Sequence, residues 1–401
     1  MSHPEAVSQS SHDSPSAWRA TLSGLCASLV GIGLARFAYT PLLPAIIANQ
    51  WFSSSAAAYL AAASLAGYLG GALAANPLAR MFAVPRLLRG MMLLATLAFF
   101  ACAWPLSTSW YFLWRFLAGV SGGTLMVLAA TTVLPFVPPS RRGLASGAIF
   151  MGVGLGIASS GTLVPLLLQQ GLQQAWIGLG LFSLVLTLVA WSGWPAREQA
   201  AAHHVIHHAH HPQGRLQALY AAYALNALGL VPHMVFLVDF VARGLHQGLD
   251  SGSHYWVLFG LGAMAGPILA GHLADRVGFG PALRLAFLLQ AVAVVLPAFE
   301  CGAPGLIVSS VIMGAFTPGI VPLVLGCVQE LLAHHPAEQK RAWSNATTSF
   351  AVLQAVGAYG LSYLLVNAGG DFRPLFMVGA VGVVLALVVD IVASAFAARS
   401  A

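Results

Sequence analysis

Apolar runs of about twenty residues follow one another along nearly the whole chain, separated by short segments that carry charge, Pro or Gly. A helix of that length rises about 30 Å, the thickness of a bilayer's hydrocarbon layer. Twelve such runs fall near 20–47, 57–78, 87–106, 109–134, 143–168, 173–194, 217–243, 253–274, 282–300, 304–332, 342–367 and 372–396. Only 7% of the 401 residues are charged, against about 25% in a soluble domain. A soluble fold of this size could not cover itself with so few charges, so soluble enzymes and disordered chains are excluded. The net charge of +6 does not point to nucleic acid, because the cations lie in short clusters between the runs. The pattern predicts an all-α membrane protein with twelve transmembrane helices and the lipid bilayer as its surroundings.

Charge placement predicts the orientation. With the amino terminus in the cytoplasm, thirteen of the 17 Lys and Arg residues fall on the cytoplasmic side, only Arg243 and Arg373 fall outside, and Arg36 and Arg115 lie within spans. That asymmetry is the positive-inside signature, and it puts both termini in the cytoplasm of a bacterial inner-membrane protein. Residues 1–18, polar and rich in Ser, Pro and His, read as a disordered tail, and no cleavable leader is expected. Trp18, Trp51, Trp104, Trp110, Trp176, Trp194 and Trp343 lie near span ends, as interfacial aromatics do. The four cysteines sit singly in apolar stretches, so neither a disulfide framework nor a thiolate metal site is expected.

The chain also repeats itself. Gly67-x-x-x-Gly71 recurs as Gly262-x-x-x-Gly266 and Gly119 maps to Gly314, both at an offset of 195, while Pro85 maps to Pro281 at 196. The register divides the chain into six-helix bundles at 19–194 and 217–401, joined by a His-rich cytoplasmic linker at 195–216. Parallel repeats about an axis along the membrane normal are a transporter design.

Several stretches carry a resemblance. Gly271-His-Leu-Ala-Asp-Arg-Val-Gly278 resembles the G-x-L-A-D-R-x-G cytoplasmic signature of the major facilitator superfamily, although the matching first-half segment has Ala79 where the acid would stand. Trp114-Arg-Phe-Leu-Ala-Gly119 is similar to the R-x-x-x-G pattern of its fourth helix. Gly152-x-x-x-Gly156-Ile-Ala-Ser-Ser-Gly161 resembles the antiporter signature without its Pro. Gly33-Leu-Ala-Arg-Phe-Ala-Tyr-Thr-Pro-Leu-Leu-Pro44 and the stretch from Phe236 to Gly260 resemble the YbfB/YjiJ-like branch. The resemblance implies the major facilitator fold, two pseudo-symmetric six-helix bundles rocking about a midplane site that the first helix lines. It also implies that Asp275 and Arg276 form a gating latch at a cytoplasmic helix end.

Within that frame a few polar residues stand out. Arg36 lies mid-span, where a charge costs at least about 2.5–3.5 kcal/mol and needs compensation. It suits an anchor for an anionic substrate or a partner for a coupling carboxylate. Tyr39 and Thr40 follow one turn on, beside Pro41 and Pro44, which can free backbone carbonyls toward a cavity. Arg115, His233, Asn226 and Gln354 are further candidates for substrate binding, with structural pairing or packing as the alternative for each. Asp239, the lone acid in an outer half-span, suits proton coupling, or else forms a local pair with Arg243 four residues on. In the linker, His203/His207 and His204/His208 have the i, i+4 spacing of a metal pair if helical, though His-rich tracts are also merely compositional. Gly119-Val-Ser-Gly-Gly123 mimics a nucleophile elbow but lies inside an apolar run, where no strand-to-helix turn is possible.

The sequence therefore predicts a monomeric secondary transporter, not an enzyme. It is expected to move a small organic solute, with a leaning to anions, by alternating access and with proton coupling. No phosphate loop or nucleotide fingerprint appears, so no cofactor is expected. A divalent-metal or drug efflux carrier and a non-transporting membrane sensor remain open alternatives. Reporter fusions or cysteine labelling should place 203–211 and 334–341 in the cytoplasm and 246–252 outside. Finding 203–211 external would overturn the twelve-span topology.

Overall fold

The computed structural model describes residues 17–138, 142–195, 213–333 and 336–400. The His tract of the linker, with His203, His204, His207 and His208, lies outside the described residues, as does nearly all of the amino-terminal tail. Twelve helices are long and apolar enough to cross a membrane. They are α1 (Ala17–Ala48), α2 (Ser54–Met81), α3 (Val84–Cys102), α4 (Thr108–Phe136), α5 (Ala145–Leu168), α6 (Leu172–Ala190), α7 (Gln213–Gly244), α8 (Gly248–Val277), α9 (Phe279–Phe299), α10 (Gly302–Leu331), α11 (Arg341–Asn367) and α12 (Arg373–Phe396). Among the described residues there is no strand.

Several boundaries differ from the sequence reading. Ala17 and Trp18 already belong to α1, and α7 begins at Gln213. Helix α8 runs through Asp275 and Arg276 to Val277 and stops only at Gly278, whose φ of 87° ends the helix. Polar residues do not end a helix by themselves, so hydropathy closes this one too early. Two of the tryptophans placed at the interfaces are interior instead. Trp176 and Trp194 are buried, and the Trp176 ring packs against Tyr39, Phe99 and Tyr111.

The internal repeat is a repeat of backbone contacts. A Cβ at Gly67 or Gly71 would fall on the carbonyl of Phe116 or Val120, so α2 and α4 touch backbone to backbone. Gly262 and Gly266 close in the same way on Val311 and Ala315 between α8 and α10, every partner 195 residues further on. Gly119 against Ser64 and Gly314 against Phe259 complete the match at the same offset. Lipid tails are as apolar as leucine, so helices associate in a bilayer by close packing, and small residues at the contact allow it.

The two halves, α1–α6 and α7–α12, meet chiefly through α5 against α8, α2 against α11, and α1 against α7. These contacts gather toward the far end, opposite the end at which α1 begins. There the Ser362 hydroxyl donates to the Ala58 carbonyl at 3.2 Å, Tyr59 stacks on Tyr359, and Trp256 Nε1 donates to Ser160 Oγ at 3.0 Å. Gly161, Gly154 and Gly260 bring α5 and α8 together along one helical stripe. The same stripes continue to Gly147 on α5 and Gly271 on α8, yet a Cβ at either would meet nothing within 4 Å. The seam is shut at the far end and open at the near end.

A bulky residue in that seam should pry it apart. Overpacking costs typically about 1–3 kcal/mol, and each 1.4 kcal/mol is about tenfold in an equilibrium. Gly260→Leu should therefore raise the labelling rate of Ser253→Cys, a buried seam position, several-fold with a membrane-impermeant maleimide, in a Cys301→Ser background. An unchanged rate would mean that the seam does not open.

Candidate functional site

The first helix breaks where its sequence dictates. A π-helical turn at Leu29–Leu34 leads into irregular backbone at residues 35–38, and regular helix resumes at Tyr39. Pro41 has no N–H for the Phe37 carbonyl, and its ring pushes that carbonyl aside. The Thr40 amide turns to Phe37 O at 3.2 Å, which leaves the carbonyl of Arg36 without a helical donor. In a hydrocarbon setting such groups must find partners within the protein. Arg115 of α4 supplies them, with Nη1 donating to Ala35 O at 2.9 Å and Nη2 to Arg36 O at 3.5 Å. Its guanidinium lies over the Tyr39 ring, 4.4 Å from the centroid, and Tyr39 Oη is held by the Ala57 carbonyl at 2.9 Å. Arg115 thus props the break open with hydrogen bonds and a cation–π contact.

Arg36 sits at the break under different terms. Its guanidinium lies 4.9 Å from the Tyr68 ring centroid and 5.1 Å from that of Phe37. Nε and Nη2 are buried with no hydrogen-bond partner, and among the described residues no carboxylate forms an ion pair with Arg36. These two atoms share one edge of the guanidinium, the edge that grips a carboxylate through two parallel bonds. The molecule contains an example of that grip. Arg243 donates from Nε and Nη2 to the two oxygens of Asp239.

A narrow crevice between the halves opens onto Arg36, with Tyr39, Thr40, Ser64 and Arg115 from the first half and Met234 and Val235 from the second. It has room for about one water molecule. Helix α7 breaks opposite α1, in a π-helical turn at Pro232–Phe236. The two breaks are joined directly, the Thr40 hydroxyl donating to the Met234 carbonyl at 2.6 Å.

The other candidates lie apart from Arg36. Asn226 Nδ2 donates to Gln290 Oε1 at 2.8 Å, and His233 Nε2 lies 2.6 Å from Ser309 Oγ. The Ser309 hydroxyl gives its own proton to the Ala293 carbonyl, so it accepts from His233 and fixes the Nε2–H tautomer. Both contacts tie α7 to α9 and α10 inside the second half. Gln354 Nε2 contacts the Met234 sulfur at 3.6 Å and so reaches the crevice wall from behind. Asp239 is buried and bound through both oxygens to Arg243, whose Nη1 crosses to the Ser54 hydroxyl at the start of α2 at 3.2 Å. Asp275 and Arg276 are exposed at the open near end and form no ion pair among the described residues. No group of three His, Cys, Asp or Glu side chains among the described residues is placed to hold a metal.

Sequence reasoning missed Tyr68, Phe37 and Met234. Tyr68 carried the one available signal, a lone large aromatic between the glycines of a helix contact, which such packing alone does not require. Met234 carried none, since a methionine in an apolar span reads as filler.

Twelve spans in two glycine-matched halves around a charged midplane crevice define a transporter of the major facilitator superfamily. A family model described as an uncharacterised MFS-type transporter, YbfB, matches residues 28–391, and the chain belongs to that family. Among solved structures it is similar to a D-xylose–proton symporter at 15% identity and TM-score 0.70, over 93% of this chain and 96% of the other. It is similar also to the partially occluded inward-open xylose transporter XylE from E. coli, at 12% identity and TM-score 0.73, over 93% and 98%. An outward-facing bacterial homologue of the iron transporter ferroportin matches at 16% identity and TM-score 0.63, over 94% and 99%. At these identities the likeness concerns the fold.

Proposed function

We propose that this membrane transporter moves a small organic anion across the bacterial inner membrane by alternating access, with its termini in the cytoplasm and with proton coupling. The observation that carries the reading is the unpaired edge of Arg36. A permanently charged group in a membrane interior, without a counterion among the described residues and facing the crevice between two rocking halves, is complementary to a charge that arrives with the solute. The shut far end and open near end then correspond to an inward-facing state, and Asp275 and Arg276, without ion pairs among the described residues, to a released cytoplasmic latch.

Asp239 is the proposed coupling group. A proton on its carboxylate removes the counterion of Arg243 and leaves that cation beside the amino end of α2. The helix dipole there is repulsive to a cation. Protonation thus loosens the tie between α7 and Ser54 and favours opening of the far end.

Arg36→Lys keeps the charge but loses the two-pronged geometry, so substrate affinity should fall about tenfold or more. Arg36→Gln should do worse, because it leaves the substrate's charge unpaired. Binding to each folded variant measures this, and wild-type affinity in Arg36→Gln would remove Arg36 from the site. Asp239→Asn should abolish uphill accumulation driven by a proton gradient while substrate counterflow in proteoliposomes persists. Undiminished uphill transport across the pH range would leave Asp239 as Arg243's structural partner alone.

A further inference from the structure

We infer that, given Arg36 as the anion site, the solute is a monocarboxylate with an apolar body, rather than a dianion or a polyol. The first reason is the balance of charge. Arg36 offers one unpaired edge, Nε with Nη2, matched to a planar group with two oxygens. The other cation at the crevice, Arg115, spends Nη1 and Nη2 on the carbonyls of Ala35 and Arg36, and only its Nε has no partner. A second negative charge on the solute finds no second two-pronged edge there, only the single Nε of Arg115, and an incompletely paired charge in a low-dielectric site is disfavoured.

The second reason is the state of the hydroxyls. Three hydroxyl groups line the crevice, and each has its proton committed to a backbone carbonyl. Ser64 donates to Ala61 at 3.0 Å, Tyr39 to Ala57 at 2.9 Å, and Thr40 to Met234 at 2.6 Å. Among the groups lining the crevice, the hydroxyl oxygens of a sugar therefore meet free donors only on Arg36 and at Arg115 Nε. A site with so few free donors leaves most of a polyol's oxygens without a bond to accept. The third reason is the character of the walls. Phe37, Leu65, Met234 and Val235 present apolar surface around the guanidinium, and the Tyr68 ring backs it. Apolar carbon attached to the carboxylate is what such walls bury.

The test is a ligand-stabilisation series on the purified full-length protein, followed by thermal unfolding. Acetate, butyrate, hexanoate and benzoate serve as monocarboxylates, succinate and phenyl phosphate as dianions, benzamide as the neutral isostere of benzoate, and glucose as the polyol. Half-saturating concentration should fall several-fold from acetate to butyrate and again to hexanoate. Benzoate should stabilise at concentrations at least tenfold below those of benzamide, succinate, phenyl phosphate or glucose. Its effect should weaken at least tenfold in Arg36→Lys. A flat series from acetate to hexanoate overturns the apolar body. Tighter binding of succinate or phenyl phosphate that still depends on Arg36 overturns the monocarboxylate and leaves Arg36 an anion site. Equal effects of benzoate and benzamide, stabilisation by glucose alone, or no response to any acid overturns the anion site and the monocarboxylate together.

Discussion

A helix cannot simply be interrupted inside a hydrocarbon layer, because each carbonyl it releases needs a donor that lipid does not supply. Arg115 meets that need for α1, and much of the site follows from it. Its two bonds to Ala35 and Arg36 hold the break at one place. The cation itself is accommodated by carbonyl dipoles and the face of Tyr39. With the carbonyls satisfied by a neighbour, the Arg36 side chain has no role in mending its own helix. It is free to turn toward the crevice and rest on Phe37 and Tyr68. One arginine ties the broken helix to α4, and the other keeps an unpaired edge at the crevice.

The two halves share a scaffold and divide the chemistry. Between α2 and α4, and again between α8 and α10, the same glycines close on the same carbonyl positions 195 residues apart. On this common frame the first half places the cations at its broken helix. The second half fills the corresponding interior with neutral hydrogen-bonded pairs, Asn226 with Gln290 and His233 with Ser309. It contributes to the crevice an apolar wall and a backbone acceptor at Met234. The asymmetry gives the crevice a charged side and an oily side. Pairing Asp239 with Arg243 near the far end keeps the acid of α7 away from Arg36.

The spans, the repeat and the mid-span place of Arg36 were legible in the sequence because each rests on a strong local rule. Long apolar runs must cross the bilayer, glycines in register mark close helix contacts, and a mid-span charge needs a reason. What the sequence did not disclose depends on which neighbour a side chain finds. Arg36 and Arg115 look alike as intramembrane arginines, and only the position of α4 against the α1 break separates the one that props the helix from the one left with an unpaired edge. Trp176 and Trp194 sit near span ends like interfacial tryptophans, but the packing of α6 against α1 and α3 buries Trp176 among aromatic rings. Asp239 illustrates a choice that the sequence could state but not make, since the i, i+4 spacing to Arg243 allowed the pair that the structure forms.

The open stretch of the α5–α8 seam has a thermodynamic consequence. Gly147 and Gly271 continue the stripes that Gly161, Gly154 and Gly260 use where the seam is shut. In the proposed alternating-access cycle, closing the near end and opening the far end would let small residues at one end take over from small residues at the other, so that one close approach of backbones replaces another of similar kind. Neither access state is then held by a large surplus of packing. With the packing energies nearly cancelling, the position of the equilibrium falls to a few polar contacts and to whatever occupies the crevice. A ligand moves such an equilibrium only by its differential affinity for the two states, and about 5.5 kcal/mol carries it from one part in a hundred to ninety-nine. In the proposed cycle, a seam balanced in this way would let a small solute redirect a protein of 401 residues.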